Sequence, residues 1–159
     1  MKKILMILCA CFALGFCLVA FAGCGNQNED ITEEPELDAD YLMGEYTQQL
    51  ITDGAEQYLG SVSIEKHGDS YIAKVAEKEV VASDRYDEGY YIADRNLEHK
   101  FTFDDGSRIV RTSKRGDLEY VDSETFLTEG QDANALYNVY VIGDSIELMV
   151  YVEPTEMLY

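Results

Sequence analysis

From residue 41 onward, apolar side chains recur at every second position, and the runs are broken by glycine-containing turns. A helix presents a face about every 3.6 residues, whereas a strand alternates its faces with period two, so this pattern calls for short antiparallel strands. The clearest case is Ser145–Val152, with Ile146, Leu148, Val150 and Val152 on one face and Glu147, Met149 and Tyr151 on the other. Gly143-Asp144 makes a tight turn back to a strand in which Tyr137, Val139 and Val141 alternate with Asn138, Tyr140 and Ile142. Further hairpin turns are expected at His67-Gly68-Asp69, Asp104-Asp105-Gly106 and Lys114-Arg115-Gly116-Asp117. Between them Val62 and Ile64, then Tyr71, Ala73 and Val75, then His99, Phe101 and Phe103, then Leu118 and Tyr120 mark successive strand faces. Residues 71–81 also fit a helical spacing through Ile72, Val75, Ala76 and Val80, and the strand reading is preferred; residues 123–136 have no clean period and suit a loop or short helix. The expected fold class is all-β, an antiparallel meander of about eight strands closed into a barrel or packed as a sandwich. In a closed meander the first and last strands are neighbours.

All four cysteines, Cys9, Cys11, Cys17 and Cys24, lie in the first 24 residues, so no disulfide can staple the β-rich part. Lys2 and Lys3 precede an uncharged apolar run over residues 4–22 that ends in small residues, the layout of a secretory signal. Its exit, Phe21-Ala22-Gly23-Cys24, resembles the lipobox of bacterial membrane lipoproteins, with Phe21 in place of the usual Leu. The resemblance implies that Cys24 receives a diacylglyceryl group on its sulfur, that residues 1–23 are removed, and that Cys24 becomes the N-terminus. An uncleaved anchor and a plain secretory signal fit the same run, which is close to the roughly 20 residues needed to span a bilayer. Each reading leaves the lysines inside and the domain on the outer side of the membrane; a plain signal would free it there, whereas lipidation holds it at the outer face of the cytoplasmic membrane, in the cell envelope.

Three segments follow: a signal peptide over residues 1–23, a lipidated cysteine with an acidic, disordered tether over 24–40, and a β-rich globular domain over 41–159. Residues 25–40 carry seven acids, no base and three apolar side chains, too few to offset the entropy of ordering. The whole chain has 31 acidic and 12 basic residues, net −19. That balance excludes nucleic-acid binding, which needs clustered Lys and Arg to release counterions from phosphates. Residues 66–115 hold ten bases and ten acids, whereas residues 116–159 hold ten acids and no base. The excess charge therefore sits towards the two ends of the domain.

Asp40-Tyr41-Leu42-Met43-Gly44-Glu45-Tyr46 is similar to the opening of lipocalins and their calycin relatives, where a short turn leads into Gly-x-Trp on the first strand; here Tyr46 stands at the Trp position. The similarity implies an up-and-down barrel with an apolar cup for a small ligand.

Enzyme motifs are missing from the segment after Cys24: it has no cysteine thiol, no Gly-x-Ser-x-Gly and no phosphate-cradling glycine loop. Its two histidines are 32 residues apart, His67 in a turn and His99 in a strand, without zinc spacing. Neither Asp38-x-Asp40 nor Asp104-Asp105-Gly106-Ser107 completes a calcium loop. No cofactor, metal or catalytic residue is expected. Twelve tyrosines and no tryptophan supply amphipathic surface for walls and contacts. Tyr46, Phe101, Phe103 and Tyr120 are the candidate ligand-cup residues, as aromatics at alternating strand positions.

The expected function is a tethered, non-enzymatic binding module for a small or apolar ligand or a peptide. The alternative is an accessory domain that docks onto another envelope protein through its acidic, tyrosine-rich face. Either depends on the anchor, so Cys24→Ala is expected to leave unprocessed precursor that takes up no acyl label; continued labelling would refute lipidation at Cys24.

Overall fold

A computed structural model describes residues 37–129, 132 and 134–158. The segment expected to be a signal peptide, the lipobox-like Phe21-Ala22-Gly23-Cys24 and the expected tether up to residue 36 lie outside the described residues.

The first structural element corrects an expectation. Residues 40–46, which the lipocalin similarity places on a first strand, are helical. An α-turn, Ala39–Tyr41, a π-helical stretch, Leu42–Tyr46, and an α-helix, Thr47–Thr52, follow one another and are together called α1. Asp38 accepts a hydrogen bond from the Tyr41 backbone N–H at 2.8 Å and so caps the start. Ala39, Leu42, Tyr46 and Leu50 fall at three- and four-residue spacing and make one stripe, in which Leu42 and Leu50 are buried. That stripe, on good helix formers, outweighs a three-residue likeness to a strand opening.

Seven strands follow, one fewer than expected: β1 Glu56–His67, β2 Ser70–Ala82, β3 Tyr90–Phe103, β4 Arg108–Thr112, β5 Leu118–Asp122, β6 Leu136–Ile142 and β7 Ser145–Val152. Helix α2, Ser123–Glu129, lies between β5 and β6, and a 3₁₀ turn, Pro154–Leu158, follows β7. The spatial order is β3-β2-β1-β6-β7-β4-β5, and an added parallel pairing of Thr102 with Ser145 joins β3 to β7. Five strands thus close into a barrel, with β4 and β5 outside it.

This is not the simple meander expected. Strands β3 and β4 lie one after the other along the same edge of β7, and β4 runs parallel to it, from Arg108 opposite Leu148 to Val110 opposite Val150. Asp104-Asp105-Gly106 therefore carries the chain along that edge and does not make a hairpin. Two bonds hold the passage: the Thr102 N–H donates to the Asp144 carbonyl at 2.7 Å, and the buried Ser107 hydroxyl donates to the Ile146 carbonyl at 2.8 Å. Strands β1 and β7 are not neighbours either, because β6 lies between them. Hairpins form as expected at His67-Gly68-Asp69, Lys114-Arg115-Gly116-Asp117 and Gly143-Asp144.

Strand β7 is mostly buried, and on both of its faces. Near the turn Val141 pairs with Ile146, but Tyr140 pairs with Leu148, which leaves Glu147 as an extra residue. Such a bulge reverses the faces that follow. Ile146, Met149 and Tyr151 consequently pack with the barrel core around Val75, Phe103 and Val139, while Leu148 and Val150 pack with Leu42, Leu50, Val110 and Tyr140 beneath α1. The expectation that Ile146, Leu148, Val150 and Val152 share a face is overturned by this single residue.

Barrel closure also concentrates on Gly60. It is the one β1 position that pairs both with β6, at Tyr137, and with β2, at Glu77. A Cβ there would lie 2.4 Å from the Ala76 carbonyl oxygen, a backbone atom that cannot swing away. Gly60→Ala is expected to lower unfolding free energy by about 1–3 kcal/mol, as overpacking does. Gly44→Ala, in open space on α1, should instead be neutral or add up to about 1 kcal/mol. Urea denaturation with an unchanged m-value reads both, and equal effects would contradict this account of closure.

Candidate binding groove

Strands β4 and β5 extend the sheet past the barrel, so their inner face is covered only in part. Pairing in β4–β5 puts Ile109 opposite Val121 and Arg111 opposite Glu119. Ile109 and Val121 join the barrel core, and Arg111 and Glu119 continue the same face towards the hairpin end. Asp122 accepts a hydrogen bond from the Thr125 N–H at 2.7 Å, fixing the start of α2. That bond holds the exposed Asp122 carboxyl below its ordinary range. Helix α2 then drops Phe126 into the core at 2% exposure.

The space between the β4–β5 hairpin, α2 and the ends of β6 and β7 is an open groove of about 910 Å³. Its floor is a run of rings: Phe126 and Tyr137 meet edge to face at 6.2 Å and 90°, and Tyr137 and Tyr151 at 6.3 Å and 80°. Edge-to-face pairs at such spacing are worth about 0.5–1.5 kcal/mol beyond their buried area. Its rim carries Arg111, Lys114 and Arg115 against Asp117, Glu119, Glu129 and Asp132, with Thr112, Ser113 and Thr125 between.

Arg111 is the organising group. Its Nε donates to Glu119 on β5 at 3.1 Å and its Nη2 pairs with Glu129 on α2, so one planar guanidinium ties the hairpin to the helix. The Glu129 carboxylate raises the Arg111 pKa, and Arg111 in turn lowers that of the exposed Glu129. Tyr151 donates from its hydroxyl to Glu153 at 3.2 Å, while burial, before the nearby charge of Glu153, raises its pKa. Tyr137 is pushed up to about 12, first by burial and then by the charge of Asp132.

The four residues proposed from the sequence as a cup do not come together. Phe101 and Phe103 are buried within the barrel core. Tyr46 and Tyr120 belong to the second cluster, on the far side of the β6-β7-β4-β5 sheet. There Tyr46 stacks under the Arg108 guanidinium, 4.8 Å from its ring centroid, and its hydroxyl accepts from Arg108 Nη1 at 2.8 Å. The contact is worth about 1 kcal/mol and secures α1. Burial raises the Tyr46 pKa against the opposing pull of Arg108. Phe103 borders a smaller cavity of about 420 Å³, with Tyr71, Asp104, Asp105, Ser123, Glu124, Leu127 and Thr128.

His99 is half-buried, packed on Tyr58 and Phe101 with ring centroids 4.5 and 6.0 Å away, and its Nε2 lies 2.5 Å from Glu77. His67 is exposed at the end of β1. Among the described residues no group of three His, Cys, Asp or Glu side chains is placed to hold a metal ion, and no helix is long and apolar enough to cross a membrane. The groove residues that sequence reasoning missed are Arg111, Phe126, Tyr137 and Tyr151. Alternation does mark both tyrosines, but only the register set by the Glu147 bulge makes them cross-strand partners.

Fold and groove together define a closed five-stranded barrel with a two-stranded outer wing and an open, ring-floored groove. No protein-family model matches the chain, and no curated protein or solved structure matches it either.

The Tyr137 pKa has a stability consequence. Between pH 10 and about 12 the unfolded chain ionises this phenol while the folded chain keeps it neutral, so stability is full below pH 10 and falls as pH rises through the window. Two units correspond to about 3 kcal/mol at most. Tyr137→Phe is expected to flatten the decline in unfolding free energy measured by denaturant titration from pH 9 to 12; an unchanged slope would contradict the shift.

Proposed function

We propose that the chain is a bacterial envelope lipoprotein, anchored through Cys24 at the outer face of the cytoplasmic membrane, whose barrel domain is a non-enzymatic binding module for a small ligand or peptide. The single observation that carries the binding reading is the groove of about 910 Å³ floored by Phe126, Tyr137 and Tyr151. Ligand sites are typically concave, largely apolar clefts of about 300–1,000 Å³ with a few polar groups that fix orientation. Here the rings accept a flat or apolar body, and the rim of paired charges and hydroxyls addresses its polar edge.

The binding site in this reading is the groove rather than a cup at Tyr46, Phe101, Phe103 and Tyr120, whose side chains serve the two cores. Arg111 acts as a positioning residue: held by Glu119 and Glu129, it keeps α2 and the hairpin at a fixed separation. The acidic tether supports presentation of the domain away from an anionic envelope, since like charge extends a linker.

Native mass spectrometry of protein drawn from its own host is the test. The expected result is a species heavier than the processed, lipidated chain, with the added mass lost in Tyr151→Ala and reduced at least tenfold in Arg111→Ala. A lipidated chain without added mass, in both wild type and variants, would sink the binding reading.

A further inference from the structure

We infer that the groove takes a neutral, polyhydroxylated ligand, a saccharide with one ring packed on Tyr151 and its hydroxyls bonded to Tyr137 and Arg111. This rests on the groove being the binding site proposed above, and it names the chemistry that enters there.

Register puts the residues concerned in one row. Tyr137 on β6 pairs with Tyr151 on β7; Arg111 on β4 follows the Val110–Val150 pair and so stands beside Tyr151; and Arg111 pairs with Glu119 on β5. All four line the groove. Their strands are hydrogen-bonded to one another in that order, so the floor offers side chains and no free backbone edge of the kind that a peptide strand adds to.

Tyr137 carries the inference. It is only 3% exposed, yet no described residue hydrogen-bonds its hydroxyl. Among the described residues no fully enclosed side-chain nitrogen or oxygen lacks a partner, so this hydroxyl is the part of Tyr137 that reaches the groove. A phenol held so deep leaves both a donor and an acceptor for whatever enters. Arg111 adds to the set. A guanidinium carries five N–H donors, and Glu119 and Glu129 take one each. The others have no acceptor among the described residues, while Glu119 Oε2 and Glu129 Oε1 have no donor. Unused donors and acceptors thus stand side by side. A carbonyl only accepts and an ammonium only donates, whereas every hydroxyl does both.

Charge points the same way. The rim has three bases and four acids, and Arg111 is already compensated by two carboxylates. An anion would face the acids and a cation the bases, and a neutral ligand avoids both penalties. Of the floor rings Phe126 and Tyr137 are closed over, at 2% and 3% exposure, and Tyr151 is half-buried. The apolar C–H face of one sugar ring packs on such an aromatic while its hydroxyls project from the edge. A groove of about 910 Å³ leaves room for further sugar units beyond that ring.

The lipidated full chain, drawn from its own host in a detergent without a sugar headgroup, is the test sample. Accurate mass of the molecule it carries, with sugar analysis after acid hydrolysis, should show a neutral oligosaccharide. Acyl chains on the added mass would mark a glycolipid headgroup as its source and sugar alone a free glycan; either supports the proposal. Titrated back onto the emptied chain, that oligosaccharide should bind Tyr137→Phe about tenfold more weakly than wild type. It should bind Tyr120→Phe, the same change on the opposite face of the sheet, as tightly as wild type. If Tyr137→Phe does not fold, Tyr151→Leu, which removes the ring platform, should weaken binding at least as much. An added peptide, amine, acid or sugar-free lipid would overturn the ligand class and leave the groove reading in place, whereas no added mass would overturn both. Undiminished binding to the folded groove variant would overturn the proposal too.

Discussion

Burial of β7 on both faces is the constraint on which the other elements depend. One face must fill the barrel and the other must seat α1, yet strict alternation over eight residues would send Ile146 and Leu148 to the same side. The extra residue at Glu147 resolves the conflict by reversing the faces after the first pair. With Ile146 held in the barrel core, Leu148 and Val150 are free to pack against Leu42 and Leu50. Each such side chain contributes about 2 kcal/mol when fully buried, so the reversal decides whether the helix has anything to dock on.

The same bulge sets the groove. Beyond it Tyr151 stands opposite Tyr137 and both turn towards the barrel side, where Phe126 of α2 meets them. Arg111 then fixes α2 against β5 across the opening. Ring floor, ionic rim and helix position therefore trace to one register choice in β7. Arg108, on the opposite face of the same sheet, holds Tyr46 and with it α1.

Much of this was legible in the sequence, and the boundary is physical. The turns at Gly68, Gly116 and Gly143 could be read because each needs a positive φ, at 67°, 92° and 61°, that glycine adopts without strain. The β2 strand, Ser70–Ala82, prevailed over a competing helical spacing because long-range pairing with β1 and β3 satisfies its backbone. Helix α1 is carried by the stripe Ala39, Leu42, Tyr46 and Leu50, which the similarity of residues 40–46 to a strand opening conceals. The Glu147 bulge was not legible at all: alternation on both sides of it is regular, and only the need to serve two cores reveals the slip. The groove residues follow from that slip and were missed with it. Parallel pairing of β4 to β7 likewise leaves no local trace, because it depends on where β3 ends.

Cross-strand nuclear Overhauser contacts in the β6–β7 hairpin test the register directly. Val141 should show a backbone contact with Ile146, and Tyr137 with Tyr151. A Tyr137 contact with Val150 in place of Tyr151, the register of an unbulged two-residue hairpin, would contradict the account of both cores and of the groove.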